Sequence, residues 1–260
     1  MRSLSIAVLA CALYGNPVLA EPVQPVQEPV HVSGMRNPEL KGYRAMSAGL
    51  DEFEDHHDLA PNAKELRFKL RPRASAAPDA MDKLTLHITG DTVSIPVPIA
   101  ADGSFSLPRS EQADDEDADL MLNKKKGGYR WHADVRSAGV PADMRRLGDL
   151  RLECKVVVAV AKEEMPLWVK LLVNSFLLTT DWCGVEKLQL SSHADRKITA
   201  ATLVDGELRL PLEISDEGMG FVAPLGDRRY SNDARIEFRF ADSTAPVLAP
   251  AASNTPPSPH

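Results

Sequence analysis

GDTVSIPVPIAADGSFSLP, residues Gly90 to Pro108, is the stretch around which the chain is organised. Apolar and polar residues alternate along it, and Asp102-Gly103 interrupts the alternation. Alternation of period two predicts half-buried β-strands, and an Asp-Gly pair predicts a tight hairpin turn. A proline cannot donate a ladder hydrogen bond, so we expect the strand that carries Pro96 and Pro98 to lie at a sheet edge.

The same pattern returns in DGELRLPLEISDEGMGFVAP, residues Asp205 to Pro224. Nine residues beyond each closing proline begins a further similar segment, DADLMLN (Asp117 to Asn123) or DARIEFR (Asp233 to Arg239), since 117 − 108 = 233 − 224 = 9. This agreement in spacing predicts an internal duplication. The predicted fold class is mainly β with two helices: duplicated antiparallel β-sandwich-like modules, each preceded by one helix.

Two segments are predicted to be helices. The first shows one apolar face at helical spacing, formed by Tyr43, Met46, Leu50, Phe53 and His57. The second is PLWVKLLVNSFLL, Pro166 to Leu178, which stands in the matching place before the second module. Lys170 and Asn174 share a polar stripe and almost every other residue is apolar, so we expect this helix to be more deeply buried than the first.

Period-two alternation predicts further strands at Lys64 to Leu70, Leu84 to Ile88, Tyr129 to Val135, Leu150 to Val160 and Val185 to Leu190. In the Tyr129 strand the aromatic residues are predicted to face the core. His132 and Asp134 then lie on the outer face. In the Leu150 strand the same alternation places Cys154 on the core side.

Composition divides the chain into segments. A basic start at Arg2, an apolar run and Val18-Leu19-Ala20 predict a secretory signal peptide with cleavage after Ala20. A lipoprotein signal ending at Cys11 is the alternative, disfavoured because Leu9 is bulky for its position. The predicted segments are signal peptide 1–20, flexible leader 21–29, first helix-plus-β module 30–124, unique connecting hairpin and loop 125–149, second helix-plus-β module 150–241 and disordered tail 242–260. The expected location is periplasmic or secreted.

The charge of the chain limits its partners. Removal of the signal changes the formal net charge from −7 to −8, because Arg2 is the one charged side chain lost. This negative net charge argues against a nucleic-acid partner, because nucleic acids are themselves negatively charged. The most apolar remaining stretch, Leu167 to Leu178, is shorter than the ~20 residues of a spanning helix. We therefore expect no transmembrane segment after cleavage.

The cysteines predict one disulfide bond. Cys11 leaves with the signal, and Cys154 and Cys183 remain in a chain bound for an oxidising compartment. A bridge that closes a loop of about 30 residues stabilises the fold by roughly 3 to 4 kcal/mol on the chain-entropy model. Two buried free thiols are the alternative interpretation.

No motif assigns a catalytic or metal residue, and no cofactor is predicted. The acidic run Glu111 to Asp119 has calcium-loop spacing, but Leu120 and Lys126 replace the required glycine and glutamate. His56 and His57 are adjacent on a predicted helix, so their side chains point about 100° apart rather than towards one ion. Ser191, Ser192 and His193 are adjacent in sequence, which does not by itself indicate a catalytic arrangement.

Three stretches carry a resemblance to known proteins: NAKELRFKL from Asn62, the G-D-x-x-x-x-P-V-P pattern from Gly90, and RRLGDLRLECKV from Arg145. Together they resemble a group of secreted proteobacterial proteins of unknown function. The resemblance covers most of the mature chain and implies an exported bacterial protein without supplying an activity. Residues 82–123 are also similar to small β-sandwiches of the transthyretin and carboxypeptidase-regulatory kind, through their strand pattern and the ADGSF turn.

The leading functional interpretation is a non-enzymatic exported binding or envelope-scaffolding protein, whose partner is a protein or glycan of the cell envelope. A periplasmic hydrolase, with a site assembled only in three dimensions, is the first alternative. A pocket on which His132, Asp134 or His193 converge would favour it. The second alternative is a peripheral membrane protein attached through residues 167–178.

Overall fold

The computed structural model describes residues 36–73, 81–186 and 190–242. Four antiparallel sheets and four α-helices form this part of the chain, and more of its residues are in strands than in helices. The predicted mainly β class is therefore confirmed, with two α-helices more than predicted. The predicted signal peptide 1–20, the predicted leader 21–29, residues 243–260 of the predicted tail and the middle of the strand predicted at Val185 to Leu190 lie outside the described residues.

The first half of the chain builds two sheets, in the orders β1-β6-β3-β4 and β5-β2-β7. Its elements are β1 Pro38–Gly42, α1 Tyr43–Asp55, β2 Ala63–Pro72, β3 Leu86–Thr89, β4 Ser94–Val97, β5 Ser104–Phe105, α2 Glu111–Asp115, β6 Asp119–Lys125 and β7 Tyr129–Ser137. β4, which contains Pro96, is an edge strand as predicted, because its proline nitrogens need no partner there.

The second half builds two further sheets, in the orders β11-β10-β14-β8 and β12-β13-β9. Its elements are β8 Met144–Arg146, α3 Leu147–Glu164, α4 Leu167–Leu177, β9 Ser191–His193, β10 Ile198–Asp205, β11 Leu208–Pro211, β12 Ile214–Ser215, β13 Gly220–Val222 and β14 Arg235–Phe240. The predicted turn at Asp205-Gly206 joins β10 to β11, with Gly206 at a positive φ of 59°.

Each four-stranded sheet begins with an edge strand that runs directly into a helix, β1 into α1 and β8 into α3. The first residue of each helix makes the same kind of backbone bond. The N–H of Tyr43 donates to the Ala118 carbonyl at 2.8 Å, and that of Leu147 donates to the Ala234 carbonyl at 2.9 Å. In the second half, the helix that directly follows the edge strand is α3 and not the segment Pro166–Leu178.

The strand predicted from Leu150 to Val160 is wrong, because these residues lie within helix α3. Leu152, Val156 and Val160 pack into the core of the first half. Leu150 and Cys154, with the partly buried Val158, pack into the core of the second half. Within each set the residues are four positions apart, and the two sets are offset by two positions. A helix that is buried on two opposite faces therefore has an apolar residue at every second position, which is the pattern expected of a strand. The module boundary predicted at residue 150 falls inside this helix.

Helices α1 and α3 pack closely and run antiparallel. Lys41, before α1, pairs with Glu164 at the end of α3 at 2.7 Å. At the other end, Nη1 of Arg146 donates to the carbonyl of Leu59 at 2.6 Å. Gly49 allows the close approach, because a Cβ there would lie 3.0 Å from a methyl group of Val160.

Helix α4 forms where the sequence predicts it, but the prediction of deep burial is wrong. None of its residues is buried, and Trp168 and Phe176 keep 68% and 84% of their surface exposed. Its polar side faces the protein, since Asn174 Oδ1 accepts a 2.8 Å hydrogen bond from Trp182 Nε1. No helix of the described residues is long and apolar enough to cross a membrane.

Cys154 and Cys183 are bridged, as the sequence predicts. Their Sγ atoms are 1.97 Å apart, and both residues are buried. Because Cys154 lies on α3 and Cys183 in the short helical turn Trp182–Gly184 that follows α4, the bridge ties the exit of α4 to α3.

Candidate functional site

A cleft of about 540 Å³ opens between the outer face of the β2–β7 pair, strand β9 and helix α3. His132, Asp134 and His193, the three residues that the sequence offered for a hydrolase, all line it. The structure therefore brings together side chains from both halves of the chain. We call this space the β2–β9 cleft.

The pairing of β2 with β7 makes the floor of the β2–β9 cleft polar. Lys69 lies opposite His132, and Arg71 lies opposite Arg130. Residues opposite each other share a face of the sheet, and the face alternates along the strand. Phe68 and Leu70 of β2 consequently enter the core, while Lys69 and Arg71 face the cleft.

Two histidines meet in the β2–β9 cleft. The ring centroids of His132 and His193 are 5.3 Å apart, with 32° between the ring planes. Strand β9 holds His193 in place through its pairing with β13, where Ser192 lies opposite the fully buried Phe221. Burial first, and then the nearby charge of Arg71, lower the pKa of each imidazole to about 4. Both rings are therefore neutral at pH 7.

Asp195 joins the second half to the cationic floor. Its carboxylate accepts hydrogen bonds from Arg136 at 2.6 Å, Arg71 at 2.7 Å and Lys69 at 3.2 Å. Burial by itself would raise the pKa of Asp195, but Arg136 and the hydrogen bond from Arg71 outweigh it and hold the pKa well below its usual range. One carboxylate thus contacts three cations.

Four buried nitrogen atoms on residues that line the β2–β9 cleft have no hydrogen-bond partner among the described residues. They are Arg71 Nε, Trp131 Nε1, His132 Nε2 and Arg145 Nε. The described chain has one other such atom, on Arg235. A buried donor without a hydrogen-bond partner costs roughly 1–3 kcal/mol. The presence of these nitrogens around one cleft is therefore typical of a binding site for a ligand with acceptor atoms.

Two arginines of the β2–β9 cleft carry positive charge without a counter-ion in the described part of the chain. Arg73 Nε donates to the backbone carbonyl of Tyr129 at 3.2 Å and forms no ion pair there. Arg130 is exposed and lies directly opposite Arg71. Like charges opposite each other destabilise a strand pair, and a bound anion would relieve this repulsion.

A nucleophile activated by either histidine is not found among the described hydrogen bonds. Ser191 Oγ bonds instead to Ser215 Oγ at 2.6 Å. Nor do the described residues contain a group of three metal-ligating side chains. The adjacency of Ser191, Ser192 and His193 in sequence thus creates no catalytic geometry in this structure.

The other candidates from the sequence have structural partners. His56, at the end of α1, pairs with Glu52 at 3.2 Å, and His57 Nε2 forms a 2.7 Å hydrogen bond with the Ala63 carbonyl. The acidic run folds partly into α2. Its Glu116 accepts hydrogen bonds from the side chain and N–H of Thr92, which lower the pKa of Glu116 to about 2.

Comparison of the chain with protein-family models, curated proteins and solved structures finds no significant match. The site is therefore interpreted from its own chemistry.

The sequence interpretation missed the cations of the β2–β9 cleft. Lys69, Arg71 and Arg73 stand at every second position of the sequence, which predicts one shared face; Lys69 and Arg71 lie in β2, and Arg73 follows its last residue. This signal was present in the sequence, whereas the role of Asp195 was not, because it depends on how the two halves pack.

A second feature stands apart from the cleft. The exposed apolar residues of α4 form a continuous surface, which we call the α4 surface: Leu167, Trp168, Leu171, Leu172 and Phe176. The one charge on the helix, Lys170, lies 3.5 Å from Glu163 of the same chain. Exposed patches of this kind mark interaction surfaces more often than isolated exposed leucines do.

Proposed function

We propose that the chain is a non-enzymatic exported binding protein whose ligand occupies the β2–β9 cleft. The observation that carries the proposal is the set of four unpartnered buried nitrogens on residues around this cleft. Protein interiors leave few polar atoms unsatisfied, so a ligand with acceptor atoms is the natural complement.

Binding is favoured over catalysis by the state of the titratable groups. His132 and His193 have pKa values near 4, which makes them weak general bases at neutral pH. The carboxylates of Asp134 and Asp195 are both engaged by Arg136. Groups that are already paired are positioned to hold a structure together rather than to move a proton.

A periplasmic hydrolase that uses the same cleft is the second candidate function. It is favoured by one observation, the convergence of His132, Asp134 and His193 on the β2–β9 cleft. The binding protein and the hydrolase differ in what happens to the ligand, which the experiment below measures.

Export and duplication belong to the same proposal. The bridge between Cys154 and Cys183 supports an oxidising, periplasmic or secreted location, because disulfides persist in such compartments. The duplication is supported by the matching orders β1-β6-β3-β4 and β8-β14-β10-β11 and by the equivalent bonds of Tyr43 and Leu147. The partner is an envelope component of the glycan or protein class.

Native mass spectrometry tests the proposed function. The protein is incubated with an envelope extract, desalted and compared with the cleft-filling variant Ser191→Trp, with Ser191→Ala as the matched control, because Ser191 is exposed, lines the cleft and shares the face of β9 with His193. We expect a bound species in the wild type and in Ser191→Ala that Ser191→Trp loses. Release of that species with unchanged mass supports binding, and release as cleaved products supports the hydrolase. Equal retention by all three proteins contradicts a ligand site in the cleft.

Peripheral membrane association through residues 167–178 is a further candidate, favoured by the exposed α4 surface. The charge of the protein does not assist it, because a net charge of −7 is repelled by anionic lipid. Flotation with zwitterionic vesicles tests it. Movement of the wild type to the lipid fraction, lost in Trp168→Ser/Phe176→Ser, supports attachment, and no movement contradicts it.

A further inference from the structure

We propose that the β2–β9 cleft recognises an oxyanion group, such as a phosphate, sulfate or carboxylate, through Arg71, Arg73 and Arg130. This inference rests on the proposed function and names the ligand class of the same cleft.

The local charge of the cleft is opposite to that of the whole protein. Five cations stand on or beside its floor: Lys69, Arg71, Arg73, Arg130 and Arg136. Three carboxylates oppose them, Asp102, Asp134 and Asp195. Arg145 and Lys41, at the far side, are each neutralised by a glutamate of α3. Glu39 also lines the cleft, forms no ion pair among the described residues and adds one negative charge. An excess of one positive charge therefore remains in a chain whose formal net charge is −7.

The hydrogen-bonding capacity of the cleft points to the same ligand. Arg71 Nε and Arg145 Nε can only donate hydrogen bonds. A ligand amine or a metal cation would meet donors and positive charge, whereas an oxyanion supplies acceptors alone. Guanidinium groups match oxyanions in shape as well as charge, because their parallel N–H bonds can meet two oxygens at once.

Oxyanion binding is coupled to protonation of the two histidines in the cleft. His132 and His193 face Arg71 and Arg130 on the floor, together with Arg73, Asp134 and Asp195. A bound oxyanion adds negative charge beside the rings and favours their protonated forms. Oxyanion binding is therefore expected to tighten as the pH falls from neutral towards about 5, where proton uptake becomes possible.

Calorimetry at low ionic strength tests the inference. The probes are sodium phosphate, sodium sulfate and sodium acetate, with glucose and glucose 6-phosphate as a matched neutral and anionic pair. These arms separate a free inorganic anion from a phosphate ester and from a carboxylate. We expect at least one oxyanion to bind and glucose not to bind.

The variants Arg130→Gln and, independently, Arg73→Gln are compared with Arg209→Gln, which removes an exposed arginine of β11 outside the cleft. Loss of a charge-assisted contact should weaken binding about tenfold or more in the first two. In Arg209→Gln we expect a change of less than about twofold. Thermal unfolding of each variant shows whether it is folded.

The outcomes separate this inference from the proposed function. If no oxyanion binds, or if Arg209→Gln weakens binding as much as Arg130→Gln does, the inference is overturned. The proposed function still stands in that case if native mass spectrometry recovers a neutral ligand that Ser191→Trp loses. If neither experiment finds a ligand, both fail.

Discussion

The imidazole rings of His132, on β7, and His193, on β9, lie with their centroids 5.3 Å apart. The two strands belong to different sheets and to different halves of the chain. Two residues beyond His193, Asp195 bonds to Arg71 and Arg136 of the first half. The contact between the halves is therefore polar at this place, and it borders the β2–β9 cleft.

The histidine pair predicts how stability depends on pH. Each pKa is lowered from 6.5 to about 4 in the folded protein, chiefly by burial. Between these values the unfolded chain binds more protons, so the free energy of unfolding falls as the pH falls from about 6.5 to about 4. We expect the unfolding temperature to drop by several degrees over this interval. In His132→Gln the slope should be smaller, and in the control His56→Gln it should be that of the wild type. An equal slope in all three proteins contradicts the prediction.

Asp195→Asn is expected to affect stability and binding in opposite directions. Removal of the carboxylate leaves Lys69, Arg71 and Arg136 with less compensation. Because the Asp195 side chain is 37% exposed, solvent screens the loss, and we expect destabilisation of only about 1–2 kcal/mol in urea unfolding. The added positive charge should tighten oxyanion binding several-fold. Weaker binding in a folded Asp195→Asn protein would contradict the placement of the anion.

The bridge between Cys154 and Cys183 is expected to contribute about 3 kcal/mol to stability, because it closes a loop with a sequence separation of 29 residues. Urea unfolding of Cys154→Ser/Cys183→Ser should show this loss, and reduction of the wild type should reproduce it. Alkylation of the denatured, unreduced protein provides the control. Labelling of both cysteines there would show that the bridge does not form.

The α4 surface is expected to tolerate polar substitution. Trp168→Ser/Phe176→Ser changes side chains that the rest of the chain leaves exposed, so the unfolding temperature should stay within about 2 °C of the wild type. Binding of an apolar dye should decrease. As a matched comparison, Leu152→Ala removes a fully buried side chain and should cost about 2–5 kcal/mol. A comparable loss in the α4 variant would mean that the helix is covered.

The sequence alone was sufficient to predict the helices and strands that bury a single face. The alternation in β2 and β7 and the apolar stripe of α1 each describe a single buried face, and all three elements were correctly predicted. The prolines correctly placed β4 at an edge, because the reason is local: a missing N–H cannot serve an inner strand.

Helix α3 shows where sequence periodicity failed. Leu150, Cys154 and Val158 face one core, and Leu152, Val156 and Val160 face the other. Two apolar stripes on opposite faces of a helix together place an apolar residue at every second position, as in a strand. The β-branched valines of this stretch further favour the strand prediction. Whether this stretch is a strand or a helix depends on whether a second hydrophobic core covers its other face. The sequence of the stretch alone does not contain that information.

Helix α4 and the β2–β9 cleft required the packed structure. The polar stripe of α4, Lys170 and Asn174, faces the protein, so the sequence pattern of this helix does not show that its apolar face is exposed. In the cleft, the outer face of β2–β7 could be read from the sequence. The approach of His193 and Asp195 to that face could not, because the β9 segment reaches it only through the packing of the two halves.

The measurement that tests the central claim most directly is proton NMR of the histidine Cε1–H resonances at about pH 6, as sodium phosphate is added. The resonances of His132 and His193 should move towards the positions of the protonated imidazole, and those of His56 and His87 should stay in place. If the two cleft resonances do not move, or if all four move together, the β2–β9 cleft does not bind an oxyanion beside these rings.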